Sequence, residues 1–179
     1  MTSTLRSLTA AAAAALLLTL AACSSPATTT AEPSSSAAAP AAEGECAGVT
    51  IVVDASALEG DDDVSLEECV ETDEAVAAAD ALAEAGVETE GTVEYGDQVV
   101  CRVNGAPAAD TVLAADDGTE YSETCESMAP AFAYWSLWVK TAESEWDYAQ
   151  EGLSTLQVEP GDSVALLFTL NGEPAAPTT

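Results

Sequence analysis

Few residues in this chain could catalyse a reaction. Among 179 residues there is no histidine, Lys140 is the only lysine, and 32 residues are aspartate or glutamate. A serine or cysteine nucleophile needs a neighbouring base, and the chain has no Ser-x-x-Lys spacing that ends at Lys140. Paired carboxylates arise by chance in so acidic a chain, and no Gly-rich phosphate loop is present. We therefore expect no catalytic residues, and a protein that is not an enzyme.

The acidic residues predict a solvated surface. The formal net charge of −29 excludes nucleic-acid binding, which depends on clustered lysine and arginine. Two acidic stretches, Asp61-Asp62-Asp63 and Asp116-Asp117-Gly118, lack the spacing of an EF-hand loop. We expect no metal site and no cofactor. Arg102 and Lys140, the cations that follow Cys23, should each pair with a neighbouring carboxylate.

Cys23 is the residue with the clearest predicted chemistry. Arg6 and the apolar run 10–20 read as the first parts of a signal peptide over residues 1–22, and this run is too short to span a bilayer. Leu20-Ala21-Ala22-Cys23 resembles a bacterial lipobox, which implies that Cys23 carries the lipid anchor. The alternative is an ordinary secretory signal. We expect a protein held by lipid on the extracytoplasmic face of the bacterial cell membrane, the membrane being its first partner.

The other four cysteines predict disulfides. Their number is even and the expected compartment is oxidising. Three pairings of the four cysteines are possible. We favour the sequential pairs Cys46–Cys69 and Cys101–Cys125, because each pair encloses a single segment of the chain. A zinc site is the alternative, but the chain has neither a Cys-x-x-Cys motif nor a histidine.

Aromatic residues concentrate in one short stretch. All three tryptophans lie there with two tyrosines: Tyr134, Trp135, Trp138, Trp146 and Tyr148. In a strand, Tyr134, Ser136 and Trp138 point to one face and Trp135, Leu137 and Val139 to the other. The rings either stabilise a small sheet by cross-strand pairing or form a flat platform for a planar or amphipathic ligand. On the second interpretation these five residues are the ligand-binding site.

Around these residues the sequence predicts one α+β domain over residues 46–171. Residues 23–45 read as a disordered tether rich in Ser, Thr, Ala and Pro, and residues 172–179 as a flexible tail, with fraying from Asn171 onward. A helix is predicted from an N-cap at Thr72 through Ala85, with Gly86 at C′ and with Val76, Ala79, Leu82 and Ala83 on its buried face. The predicted strands cover residues 49–53, 92–95, 98–103, 134–140, 146–148 and 164–170. The second and third of these form a predicted hairpin with its turn at Gly96-Asp97.

In this pattern residues 61–63 fall in a polar loop, residues 106–130 are irregular, and Pro160-Gly161-Asp162 forms a turn. The fold class is a mixed sheet of about five or six strands with one main helix against it. A purely antiparallel sandwich with a peripheral helix is the alternative.

Taken together, several motifs resemble a known family. They are Tyr134-Trp135-Ser136-Leu137-Trp138, Glu145-Trp146-Asp147-Tyr148, Gly152, Pro160-Gly161-Asp162, Gly86-Val87, and Cys101-Arg102-Val103-Asn104-Gly105 with Cys125. The pattern is similar to an actinobacterial domain family of uncharacterised function, itself similar in fold to the β-grasp C-terminal domain of transcobalamin and intrinsic factor. The resemblance implies a β-grasp binding module for a small, corrinoid-like ligand or for an envelope protein, in relatives linked with transport. The final strand departs from it, with Ala165-Leu166-Leu167-Phe168 in place of Trp-Arg-Phe.

Overall fold

The computed structural model describes residues 46–172 and 176–177. The predicted signal peptide, Cys23 and the predicted tether lie outside the described residues. In the part of the chain that is described, no helix is long and apolar enough to cross a membrane.

The described chain is mostly strands with one α-helix. In chain order the elements are β1 (Val49–Asp54), a 3-10 turn (Gly60–Asp62), β2 (Leu66–Val70), β3 (Val76–Ala77), α1 (Ala78–Glu84), β4 (Thr89–Thr92), β5 (Gly96–Val103), β6 (Leu113–Ala114), β7 (Glu120–Tyr121), β8 (Ala133–Lys140), β9 (Asp147–Tyr148), β10 (Gln157–Val158) and β11 (Ser163–Leu170). The predicted mixed α+β class is therefore confirmed, although the chain forms more short strands than predicted.

Five strands form one mixed sheet in the order β2-β1-β11-β8-β9. The first strand β1 and the last strand β11 run parallel in its interior, with Ile51 opposite Val164. The other pairs are antiparallel, and Leu137 of β8 lies opposite Leu166 of β11. Three further pairs lie outside this sheet: β3 with β10, β4 with β5, and β6 with β7.

The main core lies on one face of this sheet. Ile51, Val164 and Leu166 pack there with Leu82 of α1, and each is at most 1% exposed. Both central strands are nearly continuous apolar runs, as expected for strands that are covered on both faces. The opposite face carries a smaller buried cluster around Trp138.

The helix begins at Ala78 rather than after Thr72, so its predicted start is wrong. Val76 and Ala77 pair with β10 instead, and the Thr72 hydroxyl donates to the Glu74 carbonyl oxygen at 2.8 Å. The first helical N–H groups find acceptors outside the helix, because Ala78 N donates to Leu156 O at 2.8 Å and Ala79 N to Leu153 O at 3.1 Å. These two carbonyl oxygens accept the hydrogen bonds that an N-cap side chain would otherwise accept.

The rest of the helix is closer to the prediction. Its buried residues are Ala78, Ala81 and Leu82, whereas Ala83, predicted to be buried, is exposed. Gly86 has φ of 76°, as the predicted C′ position requires.

The first predicted hairpin is shifted along the chain. We expected its turn at Gly96-Asp97, but the strands end and resume around residues 93–95. The cause is a neighbouring segment, since Val93 N donates to Cys125 O at 2.7 Å and Glu94 N to Glu126 O at 3.1 Å. These two residues are therefore bonded to residues 125–126 instead of extending β4.

Three further regions correct the sequence interpretation. Residues 66–70, which received no prediction, form the edge strand β2, and residues 106–130 contain the short β6–β7 pair. Asn171 is not frayed, because its side chain donates to Ala114 O at 2.7 Å and its N–H to Phe132 O at 2.7 Å. Pro177, placed in the flexible tail, is buried and lines a shallow groove with Val52 and Leu66.

Two disulfides are present, Cys46–Cys69 and Cys101–Cys125. These are the sequential pairs that the spacing favoured. The first joins β2 to the chain just before β1, and the second joins β5 to residue 125, the segment that holds Val93 and Glu94.

Candidate functional site

Trp135 belongs to the main core. It lies on the face of β8 that also carries Leu137 and Val139, as the alternation of side chains predicts. The indole is 8% exposed, and it meets the Phe168 ring edge-on with centroids 5.2 Å apart. Its Nε1–H donates to the Ala106 carbonyl oxygen at 3.1 Å, so the polar atom of the ring is satisfied inside the core.

Trp138 lies on the opposite face of the sheet. It is 6% exposed and packs with Val52 and Ala165. The Tyr148 ring of β9 stacks on it at 3.9 Å between centroids and 26° between planes, and the Trp138 Nε1–H donates to the Ser136 hydroxyl at 3.0 Å. Tyr148 therefore covers Trp138, and 37% of Tyr148 itself remains exposed.

The other two aromatic residues are half-buried. Trp146 packs against the Trp138 cluster, and the Lys140 Nζ lies 5.6 Å from its ring centroid. Tyr134 is half-buried on β8. The five aromatic residues are thus divided between the two faces of the sheet, and the three tryptophans do not share one exposed surface.

We call the antiparallel pair β8–β9 the aromatic hairpin. A groove of about 390 Å³ opens beside it, between β8, the chain after β9 and the start of β5. Its interior is apolar, with Leu153 and Leu166 at most 2% exposed. Besides Tyr148, the exposed residues at its rim are polar or flexible: Asp97, Gln98, Gln150, Glu151 and Met128. Of the five predicted ligand-binding residues, Trp135 and Tyr148 line this groove. Its volume is at the small end of the range typical of ligand sites, roughly 300–1,000 Å³.

Gly152 positions the chain that closes the groove after β9. A Cβ atom built on Gly152 would lie 3.3 Å from the Gln98 Cα, so the absence of a side chain lets this segment approach β5. Two hydrogen bonds hold its ends: Ala149 N donates to Leu137 O at 3.0 Å, and Leu156 N donates to Gly152 O at 2.9 Å. Gly152 appeared in the sequence motif, but its contact with Gln98 could not be predicted from spacing.

Part of the edge of β8 that faces this groove lacks a neighbouring strand. The bond from Ala149 to the Leu137 carbonyl shows that the backbone groups of Leu137 point toward β9. Successive residues of a strand alternate between its two edges, so those of Trp135 point the same way. However, β9 pairs only with Trp138 and Val139. In the described chain, the N–H and C=O of Trp135 and the N–H of Leu137 therefore have no partner in a β-ladder.

Arg102 of β5 links three segments of the chain by hydrogen bonds. Its guanidinium is 12% exposed and donates to Glu90 Oε2 at 2.9 Å, Glu123 O at 2.6 Å and Pro107 O at 3.0 Å. The predicted ion pair of Arg102 is thus present. Among the described residues Lys140 forms no ion pair, and its neighbour is Trp146.

Glu123 is a buried acid that the sequence did not single out. It is 3% exposed, and its carboxylate accepts from the Tyr121 hydroxyl at 2.8 Å and from Cys125 N at 2.6 Å. Burial, and then the carboxylate of Glu123, raise the pKa of Tyr121 above its ordinary value. These contacts secure the Cys101–Cys125 region, and we interpret them as structural.

The acidic clusters are engaged in local structure. Asp62 accepts from Ala108 N at 3.0 Å and from the Thr111 hydroxyl, which ties the 3-10 turn to a distant loop. Hydrogen bonds from Thr119 lower the pKa of Asp117. Glu90 lies beside the sulfur atoms of Cys101 and Cys125, but those atoms are bonded to each other and Glu90 pairs with Arg102. This group is therefore a disulfide beside an ion pair.

Comparison of the chain with protein-family models, with curated proteins and with solved structures gave no match. The observations that bear on function are accordingly those of the chain itself. They are the apolar groove, the acids at its rim, and the incompletely paired edge of β8.

Proposed function

We propose that this chain is a lipid-anchored, non-enzymatic binding protein of the bacterial envelope, and that its domain takes a ligand or partner in the groove beside the aromatic hairpin. The groove carries the proposal. It combines an apolar interior, including Leu153 and Leu166, with polar rim residues and the tyrosine ring of Tyr148. Binding sites typically join such an interior to a few polar groups that orient the ligand.

The proposed fold is a β-grasp-like domain. Its support is the strand order, in which the first and last strands lie parallel in the interior of a mixed sheet. Helix α1 lies against the same face as the main core, through Leu82. This arrangement agrees with the fold that the sequence resemblance implies.

The proposed anchor is the lipid on Cys23. Its support is the sequence Leu20-Ala21-Ala22-Cys23 after a short apolar run. Two disulfides in the domain suit the oxidising compartment that such an anchor implies.

One observation favours a second candidate, a structural surface lipoprotein without a small ligand. Trp135 and Trp138 are both buried and hydrogen-bonded, which is what aromatic residues do when their role is to stabilise a small sheet. The groove is present whichever role the tryptophans have, because the residues at its rim contribute little to the core.

The experiment is a titration of the isotopically labelled mature protein, followed by amide NMR. The probes are cobalamin and size-fractionated envelope extract. We expect shifts of the Trp135, Leu137 and Gly152 amides with one of these probes. The variant Ala149→Trp places a large side chain at the half-buried wall of the groove and should abolish those shifts. Ala114→Trp, on the exposed side of β6, is the matched control and should retain them.

Shifts that persist unchanged in Ala149→Trp, or the absence of groove shifts with both probes, would contradict the proposal. Either result would favour the structural candidate.

A further inference from the structure

We infer that the occupant of the groove is an extended segment of a partner polypeptide, which adds as a strand to the edge of β8 and carries lysine or arginine. This inference rests on the proposed function, because it assumes that the groove is the binding site. It adds the chemistry of the partner and the manner of its binding.

The backbone of β8 indicates a peptide. The N–H and C=O of Trp135 and the N–H of Leu137 face the groove without a ladder partner in the described chain. Trp135 and Leu137 are two positions apart, about 7 Å along the strand. An extended peptide presents donors and acceptors at this same spacing, and strand addition is a common mode of peptide recognition.

The side chains around this edge indicate how such a peptide would be read. Alternate side chains of an added strand would point into the groove, where Leu153 and Leu166 form an apolar interior. Met128, 64% exposed at the rim, is an unbranched side chain that adapts to different partners. These contacts favour apolar residues at every second position of the peptide.

The charge at the rim of the groove indicates which residues the peptide carries at its other positions. Asp97 and Glu151 are exposed and line the groove. Neither Arg102 nor Lys140 lines it. A basic side chain beside the apolar positions would meet these carboxylates, and the net charge of −29 would assist its approach. A second copy of this chain is a poor occupant, because its own charge is the same.

The experiment is selection from a display library of acetylated octapeptides randomised at all positions, with the full mature protein as the target. Selected peptides should alternate apolar residues with lysine or arginine. The double variant Asp97→Asn/Glu151→Gln should bind them about tenfold more weakly. Asp80→Asn/Glu84→Gln removes the same charge from the exposed face of α1 and should bind them as the natural chain does.

N-methylation tests the strand pairing directly. Methyl groups on the backbone nitrogens that face β8 remove donors and add bulk, so they should weaken binding tenfold or more. The same methyl groups on the intervening residues should have little effect, because those nitrogens point away from β8.

The outcomes separate this inference from the proposed function. If cobalamin shifts the groove amides but the library yields no peptide, the inference is overturned and the binding function stands. Selected peptides that are acidic, or that tolerate methylation at either set of positions, also overturn it. If neither peptides nor the earlier probes reach the groove, both proposals fail.

Discussion

Replacing each tryptophan by alanine should destabilise the domain by amounts that follow the burial of the ring. Trp135 and Trp138 are 8% and 6% exposed, and truncation of such a core residue costs about 3–5 kcal/mol. Each ring also donates one hydrogen bond, to Ala106 O and to the Ser136 hydroxyl respectively, which adds about 1 kcal/mol. We therefore expect a loss of about 4–6 kcal/mol for either variant.

Trp146 provides the internal comparison. It is half-buried at the edge of the smaller cluster, so less of its surface returns to water on unfolding and less cavity is left by its removal. We expect Trp146→Ala to cost roughly 1–2 kcal/mol, about half the area term of a fully buried ring.

Phenylalanine variants separate the ring from its hydrogen bond. Trp135→Phe retains most of the packing against Phe168. The Ala106 carbonyl that loses the indole still accepts from Val103 N at 3.0 Å, so this variant should cost only about 1–2 kcal/mol.

The assay is equilibrium unfolding in urea with the disulfides intact, followed by far-ultraviolet circular dichroism, because this readout does not depend on tryptophan fluorescence. A Trp146→Ala cost equal to that of Trp138→Ala would refute the reasoning. So would a cost below about 2 kcal/mol for both buried tryptophans, since core truncations of this kind typically cost more.

Arg102→Met should lower the free energy of unfolding by about 2–3 kcal/mol, because the Glu123 and Pro107 carbonyls lose a charged donor; Lys140→Met is the control, and an equal cost in urea unfolding would contradict this. The pKa of Tyr121 in the folded protein is raised above its ordinary value of 10.0, so its contribution to stability is full below about pH 10 and is lost as the pH rises toward that raised pKa. The free energy of unfolding, measured between roughly pH 9 and pH 11 where tyrosine titrates, should fall less in Tyr121→Phe than in the natural chain. An equal fall in the two proteins would argue against this. Cys23→Ala should release the protein from the membrane fraction, and a variant that stays membrane-bound after cleavage of its signal would disprove the lipid anchor.

Local sequence patterns predicted the parts of the fold that depend on local physics. The alternation of side chains along β8 correctly separated Trp135 from Trp138, because a strand has a fixed period of two. Gly86 takes the left-handed conformation predicted for it. The central strands were recognisable as runs of apolar and β-branched residues.

Contacts between distant segments decided the rest. Thr72 looked like an N-cap, but Val76 and Ala77 pair with β10, about 80 residues later in the chain. Glu123 is one of 32 acidic residues, and only the fold shows that it is buried between Tyr121 and Cys125.

The groove could not be predicted for the same reason. Three separate segments form it, at residues 97–100, 135–137 and 148–153, together with Met128 and Leu166. The sequence indicated the importance of the aromatic stretch, but it did not indicate that Trp135 and Tyr148 would reach the groove while Trp138 and Trp146 pack elsewhere.

Hydrogen exchange of the backbone amides is the decisive measurement for strand addition at the edge of β8. In the free protein, the Trp135 N–H faces the groove without a ladder partner, whereas the Ser136 N–H points toward β11, with which Ser136 is paired. We predict that the Trp135 amide exchanges at least about tenfold faster than that of Ser136, and that a bound peptide from the selection slows Trp135 to the rate of Ser136. Equal slow exchange of the two amides in the free protein would contradict a free edge at Trp135, and a Trp135 amide that stays fast when the peptide is bound would contradict strand addition there.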